Sequence, residues 1–343
     1  MTDSPMTETF LVGTYTRNTG SDGIYRVNGS TVTLAASCDN PSYLAGHPSG
    51  EVIYAVNEVS DFEAGNTGAV TAFFKQSSGN LSVMNQQSSM GADPCHISVS
   101  KLGTFLVVTN YSGGTFITLP LDDDGHLEQF ISLTQHTGSS SHPERQQSAH
   151  IHSSLISGDE SSVVVADLGA DQLVSYTISP DGQIGTEQRK SLAVSSGAGP
   201  RLMASFGNKI YLVNELANRV TVHDASDLSV IDQHSTLPKG HDHESIASHI
   251  EISSDGKHLY VSNRGFDSIA VFSIEPKLNL VQIIPTGGGH PRHFTLSRDG
   301  LSLFVANQFA NEIRGFSRDP DSGALADTSF RIEVPAPTCL LLV

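Results

Sequence analysis

Four side chains spread over somewhat more than a hundred residues have types that could do chemistry together: His152, Arg201, Glu215 and Arg264. An imidazole can take and return a proton near neutral pH. A carboxylate can do the same or orient the imidazole, and guanidinium groups grip anions or stabilise an oxyanion. The set is therefore suited to general acid–base chemistry on an anionic substrate, with the base either His152 or Glu215. Arg145, Arg292, His96 and His150 add polar groups that could bind the substrate.

For these residues to meet, the chain must bring distant segments together, and a repeat does so. A short apolar strand running into Asn or Asp recurs at Val52–Asn57, Phe105–Asn110, Ser162–Asp167, Lys209–Asn214, His258–Asn263 and Ser302–Asn307. These markers stand 44 to 57 residues apart, close to the roughly 40–50 residues of one four-stranded propeller blade. A seventh copy begins at Phe10–Tyr15. It lacks the upstream strand that the others have, and the missing strand reappears as Pro337–Val343 at the far end of the chain. The expectation is an all-β, seven-bladed β-propeller forming one domain over 1–343, its ring closed by pairing of the N- and C-terminal strands so that no sheet edge is left open. Sandwich domains do not repeat one hairpin seven times, and solenoid coils are shorter.

In such a ring, equivalent positions of successive repeats become neighbours around the axis. Aligning the starts of the inner strands superposes His96, His150 or His152, Arg201, His249 and Arg292. The residues that follow the markers are Glu58, Tyr111, Leu168, Glu215, Arg264 and Gln308, and both sets should line the same mouth of the channel. A cluster of His, Arg and Glu there is costly unless it is paired or used. Bridging between blades would account for His96, His249, Arg292 and Glu58 as well as a site would.

Composition excludes several classes. With 19 basic and 36 acidic side chains, a net charge of −17 and no Lys/Arg run, the chain is a poor nucleic-acid partner. No apolar stretch is long enough to span a bilayer. Residues 1–10 lack the pattern of a signal peptide, so a cytoplasmic location and no membrane partner are expected. Cys38, Cys95 and Cys339 are odd in number and lack C-x-x-C spacing. His150 and His152 share a strand face, and His241–Glu244 is rich in ligand types, but neither has a matching ligand set, so no metal is expected. Gly287–Arg292 lacks the Gly-Lys-Ser/Thr ending of a phosphate loop, and no Gly-x-Ser-x-Gly elbow occurs.

The motifs Gly13-Thr-Tyr-Thr16, Arg145-Gln146, His150-Ile-His152, Asp167-Leu-Gly-Ala-Asp171, Gly199-Pro-Arg201, Asn214-Glu-Leu216 and Ser262-Asn-Arg-Gly265 follow one another in order. In this the chain resembles the propeller-type 6-phosphogluconolactonases, which group with the fungal muconate-lactonizing propellers. The resemblance spans nearly the whole sequence. It departs in a shorter Arg201–Glu215 segment and in Leu202, where the family often has His.

The resemblance implies active-site roles for His152, Arg201, Glu215 and Arg264. It also implies hydrolysis of a small anionic sugar lactone, 6-phosphoglucono-1,5-lactone or a relative, by direct attack of water and without a cofactor. One of Arg201 and Arg264 would stabilise the oxyanion. The other, with Arg145 or Arg292, would bind phosphate. A cycloisomerase acting on a muconate-like diacid, or a non-catalytic binding scaffold, remain the alternatives.

Overall fold

The apolar runs that end at the Asn or Asp markers become strands buried from end to end, as in Val52–Asn57 and Phe105–Asn110. Continuous apolarity is what a strand covered on both faces requires. The outermost strands, such as Val230–Ser235, are largely exposed and mix polar with apolar residues. In the computed structural model, which describes residues 8–343 with the side chains of 186–189 excepted, these strands form seven four-stranded antiparallel sheets.

The innermost strands are Leu44–Gly46, Pro94–Val99, Ile151–Ile156, Pro200–Phe206, Ile246–Ile252, Pro291–Leu296 and Pro337–Leu342. Each packs against the innermost strands on either side, around the full circle. The seven-bladed propeller expected from the repeat is what forms. Its closure is also as expected: Pro337–Leu342 pairs antiparallel with Thr9–Thr14, with Phe10 opposite Leu342 and Val12 opposite Leu340. Phe10 meets Phe304 of the preceding blade edge-on at 4.6 Å, which ties the closing sheet to its neighbour.

Apolar clusters fill the spaces between blades. One joins Tyr211, Val213 and Val222 to Leu259, Val261 and Phe272 of the next sheet. The marker asparagines hold the connections between blades. Asn57, Asn110 and Asn263 each donate through Nδ2 to a carbonyl in the incoming segment, that of Asp39, Ser89 and Thr236 respectively, at 2.8 to 2.9 Å. Such buried amides satisfy backbone groups that a turn would otherwise leave unpaired.

Candidate functional site

Six of the seven innermost strands carry an irregularity at one place. The ladder slips between Pro94 and His96, Ile151 and Ser153, Pro200 and Met203, Ala247 and Ile250, and Pro291 and His293. In the closing strand it slips at Gly13/Thr14, opposite Pro337–Cys339. A β-bulge sets two residues against one and re-aims their side chains. The bulges place Cys95, His152, Arg201, Ser248, Arg292 and Thr338 in one ring, with His96, Ser153, Leu202, His249, His293 and Cys339 just after them. A small cavity of about 20 Å³ opens among these positions, lined by His152, Arg201, Arg292, Cys95, His293, Thr338, Leu202, Ser42 and Tyr43.

Glu215 is the hub beside this cavity, and it is 1% exposed. Its Oε2 lies 2.6 Å from Arg201 Nε and 2.9 Å from Arg264 Nη2, while Oε1 accepts from Arg145 Nη2 at 2.7 Å. The Arg201 approach is a charge contact rather than an aligned hydrogen bond. Three guanidinium groups on one carboxylate leave two positive charges uncompensated. Burial alone would raise the Glu215 carboxyl, but Arg264, Arg201 and Arg145 together hold it well below the usual carboxylate range. Burial pulls Arg264 down to about 9 against the attraction of Glu215, which still leaves it cationic at neutral pH. Arg201 is likewise lowered by burial.

Local sequence explains how these groups are held. Gly199 sits at φ +67°, where a Cβ would meet the Leu216 side chain at 2.6 Å, so the residue before Pro200-Arg201 must be glycine. Its N–H donates to Asp171 Oδ1 at 2.7 Å, and its carbonyl accepts from the Glu215 N–H at 2.7 Å. The short Arg201–Glu215 hairpin keeps both ends in register, with Phe206 opposite Lys209 and Pro200 opposite Asn214. Gln146 is fully buried and donates to the Leu168 carbonyl, which anchors the loop that presents Arg145. Asp167 accepts from the His150 N–H at 2.9 Å.

His152 is buried, and its Nδ1 stands 4.0 Å from Cys95 Sγ, the only hydrogen-bonding neighbour of the ring among the described residues. Tyr111 meets the ring edge-on, with centroids 5.7 Å apart. Burial, reinforced by the charge of Arg201, pushes the His152 imidazolium well below its ordinary 6.5, and Glu215 opposes the shift only in part. His152 is therefore neutral at physiological pH.

A second polar chain borders the cavity. Arg292 Nη2 donates to Tyr15 Oη at 2.6 Å, Tyr15 donates to Glu58 Oε1 at 2.8 Å, and Ser42 donates to Glu58 Oε2. Burial opposes the Arg292 charge, but Tyr15, Glu58 and Glu215 outweigh it and raise its pKa. On the other side of the cavity, Tyr111 Oη accepts from Arg145 Nε and Nη2 at 3.1 and 3.0 Å, and the Tyr111 ring stacks on His150 at 4.5 Å.

Of the residues singled out in the sequence, the structure brings together His152, Arg201, Glu215, Arg264, Arg145 and Arg292, with His150 at the rim. His96 stands apart from them. It occupies the second bulge position, packs at a tilt against Tyr43 with centroids 4.6 Å apart, and lines a pocket with Val99, Lys101 and Ser157 rather than the cavity beside His152. Its expected equivalence with His152 and Arg201 fails because the bulge inserts a residue that no alternation pattern reveals. His249 is displaced in the same way and stacks on His293 at 3.8 Å. Glu215 does not hydrogen-bond His152, since arginines occupy both of its oxygens.

Tyr15, Ser42, Tyr43, Cys95, His293 and Thr338 were not anticipated. The shared place of Cys95 and Thr338 at strand starts is the signal that could have found those two. Among the described residues, no grouping of three or more His, Cys, Asp or Glu has a geometry that could hold a metal ion.

Fold and site together define a seven-bladed propeller with a cationic, partly enclosed pocket in its channel. The model for the lactonase family of seven-bladed β-propellers matches residues 9–342, and the chain belongs to that family. A 6-phosphogluconolactonase of Bacillus subtilis is 33% identical over 96% of both chains. A 6-phosphogluconolactonase of Formosa agariphila is 32% identical over 83% of this chain and 85% of its own. The solved periplasmic gluconolactonase of Pseudomonas aeruginosa superposes with a TM-score of 0.90 at 32% identity, covering 98% of this chain and 99% of that one. The chain is thus a hydrolase of the lactonase type. No helix among the described residues is long and apolar enough to cross a membrane.

Proposed function

We propose that this protein hydrolyses a phosphorylated sugar lactone, 6-phosphoglucono-1,5-lactone or a close relative, to the open acid. The observation that carries this reading is the pair of uncompensated positive charges around Glu215, set beside a neutral buried imidazole. A protein with a net charge of −17 repels anions at a distance, so a dianionic phosphate needs such close cationic groups.

In this reading His152 is the base. It removes a proton from water as the water oxygen bonds to the lactone carbonyl carbon. Arg201, which shares the cavity wall with His152, receives the negative charge developing on the carbonyl oxygen. Collapse of the tetrahedral species breaks the bond from that carbon to the ring oxygen, and the His152 imidazolium returns its proton to the departing alkoxide. The depressed pKa makes that imidazolium a strong acid, which suits the second step. Glu215 is too firmly held as a carboxylate by three arginines to serve as the base, so it positions them instead. Arg264 and Arg292 hold the phosphate.

The test is the initial rate of loss of freshly generated 6-phosphogluconolactone, corrected for spontaneous opening, alongside unphosphorylated gluconolactone. Acceleration that persists with chelator and falls by roughly 100-fold or more in His152→Ala is expected. No acceleration over background for either lactone overturns the reading.

A further inference from the structure

The mouth above the arginine cluster has two aromatic walls on opposite sides of the ring. One is Tyr111 stacked on His150, at the junction of the blades built on Pro94–Val99 and Ile151–Ile156. The other lies on the blade built on Pro291–Leu296, where the His290 imidazole stacks on Phe309 with centroids 4.0 Å apart and planes at 21°. The seven blades put these two walls across the channel from each other.

The second wall is built at some cost. His290 is a non-glycine residue at φ +62°, a conformation that L side chains adopt rarely and that persists where the surroundings enforce it. The enforcement is visible. The His290 N–H donates to Asp267 Oδ1 at 2.8 Å, the Gln308 N–H donates to the His290 carbonyl at 3.1 Å, and the Phe309 N–H donates to the Gly289 carbonyl at 3.1 Å. These bonds zip the segment before Pro291 to the short turn Gln308–Ala310. Despite this anchoring, Phe309 is left 69% exposed, the most exposed phenylalanine among the described residues. Beside it the buried Gln308 Oε1 has no hydrogen-bond partner. Neither the proton transfers nor the charge contacts described above use this wall.

We infer that the His290–Phe309 stack is a binding subsite for the ring of a cyclic sugar phosphate, which lies against it while its anionic group reaches the arginines below. The flat C–H face of a pyranose ring covers apolar aromatic surface of the kind that Phe309 leaves exposed. This extends the lactonase reading and rests on it for the choice of ligand. It adds discrimination by shape: a closed ring is favoured over the open acid that hydrolysis yields, which helps product to leave.

The chain contains no tryptophan, so Phe309→Trp supplies a single fluorescent reporter. Glucose 6-phosphate serves as a stable cyclic probe, sorbitol 6-phosphate as its open-chain counterpart, and inorganic phosphate as the bare anion. A saturable emission change with glucose 6-phosphate is expected, none with phosphate, and none in a Leu102→Trp control at an exposed turn on the opposite mouth, 76% exposed in the native chain. By calorimetry, Phe309→Ala should weaken glucose 6-phosphate binding by roughly 3- to 10-fold while changing sorbitol 6-phosphate binding far less.

Silent emission at saturating glucose 6-phosphate, equal loss for both sugars, or no binding of glucose 6-phosphate to the native chain overturns the subsite. Lactone hydrolysis measured on the same preparations separates the two ideas. A native chain that opens the lactone with a KM unchanged by Phe309→Ala keeps the activity and loses the subsite. A native chain without activity that still binds the cyclic probe through Phe309 keeps the subsite and loses the activity.

Discussion

Oε2 of Glu215 lies 2.6 Å from Nε of Arg201, and the two side chains are 2% and 4% exposed. Removing one member of a buried charge pair costs far more than the pair itself contributes, because the remaining charge stays desolvated. Glu215 compensates Arg201, Arg264 and Arg145 at once. Glu215→Gln should therefore lower stability by about 3–5 kcal/mol, read as a fall in the urea midpoint. Replacing Arg145 alone should cost clearly less, since its side chain is 34% exposed. Equal losses would show that Glu215 is not the hub of the cluster.

Tyr15 gives a finer test of how a guanidinium is aimed. Its hydroxyl accepts from Arg292 and donates to Glu58, so Tyr15→Phe keeps the packing and cuts both links. Hydrogen bonds to charged groups are worth about 1.5–3 kcal/mol. The expected result is a KM for 6-phosphogluconolactone raised by roughly 10-fold, with little change in kcat or in the KM for unphosphorylated gluconolactone. An equal rise for both lactones would move Arg292 away from the phosphate.

The fold was legible in the sequence because each blade repeats one hairpin, and because the two-sided burial of Phe105–Asn110 and its counterparts leaves unbroken apolar runs. Glu215 and Arg264 after their markers, and the Gly-Pro-Arg turn at 199–201, were legible for the same reason. What could not be read is the bulge shared by six inner strands. Strand periodicity assumes that successive side chains alternate, so it assigned His96 and His249 to the ring of His152 and Arg201 and passed over Cys95. The Tyr15–Glu58–Arg292 chain was hidden for another reason: its members come from three different blades, and Tyr15 and Arg292 lie 277 positions apart in the chain.

The neutral state of His152 sets a pH dependence. A base whose pKa lies well below 6.5 stays competent as the solution is acidified past the titration range of free imidazole. The acidic limb of kcat/KM should therefore fall below pH 6.5, and in Arg201→Gln it should move to higher pH, since Arg201 is the leading charge that depresses His152. A limb centred at 6.5 or higher in the native enzyme would assign it to another group.

Stability should fall on acidification for a related reason. Burial is the main cause that lowers His96 and His293 to about 3 and His249 well below 6.5. Between pH 6.5 and about 3 the unfolded chain binds these protons and the folded chain does not, so each such imidazole removes at most about 1.4 kcal/mol per pH unit. Urea midpoints measured from about pH 6 to about pH 4 should drop steadily, and His249→Gln should flatten the drop. A flat native profile over that range would mean that these imidazoles take up protons in the folded state.

Glu251 works in the opposite direction. It lies on the innermost strand Ile246–Ile252, where burial raises its carboxyl to about 8 and the hydrogen bonds from the Leu296 N–H and Thr295 only moderate the shift. Between pH 4.5 and about 8 the unfolded chain releases this proton while the folded chain keeps it, so the group costs stability as pH rises through that window. Glutamine has the size of the protonated acid and can accept the same Leu296 N–H. Glu251→Gln should therefore leave stability near its native value at pH 5 and raise it at pH 8, with a gain that grows across the interval. Because it acts on the stability curve in the reverse sense to the histidines, and three histidines outweigh it below about pH 6.5, the native protein should be most stable near that pH. A Glu251→Gln variant whose urea midpoint follows the native one at every pH would show that the Glu251 carboxyl ionises in the folded channel as readily as in the open chain.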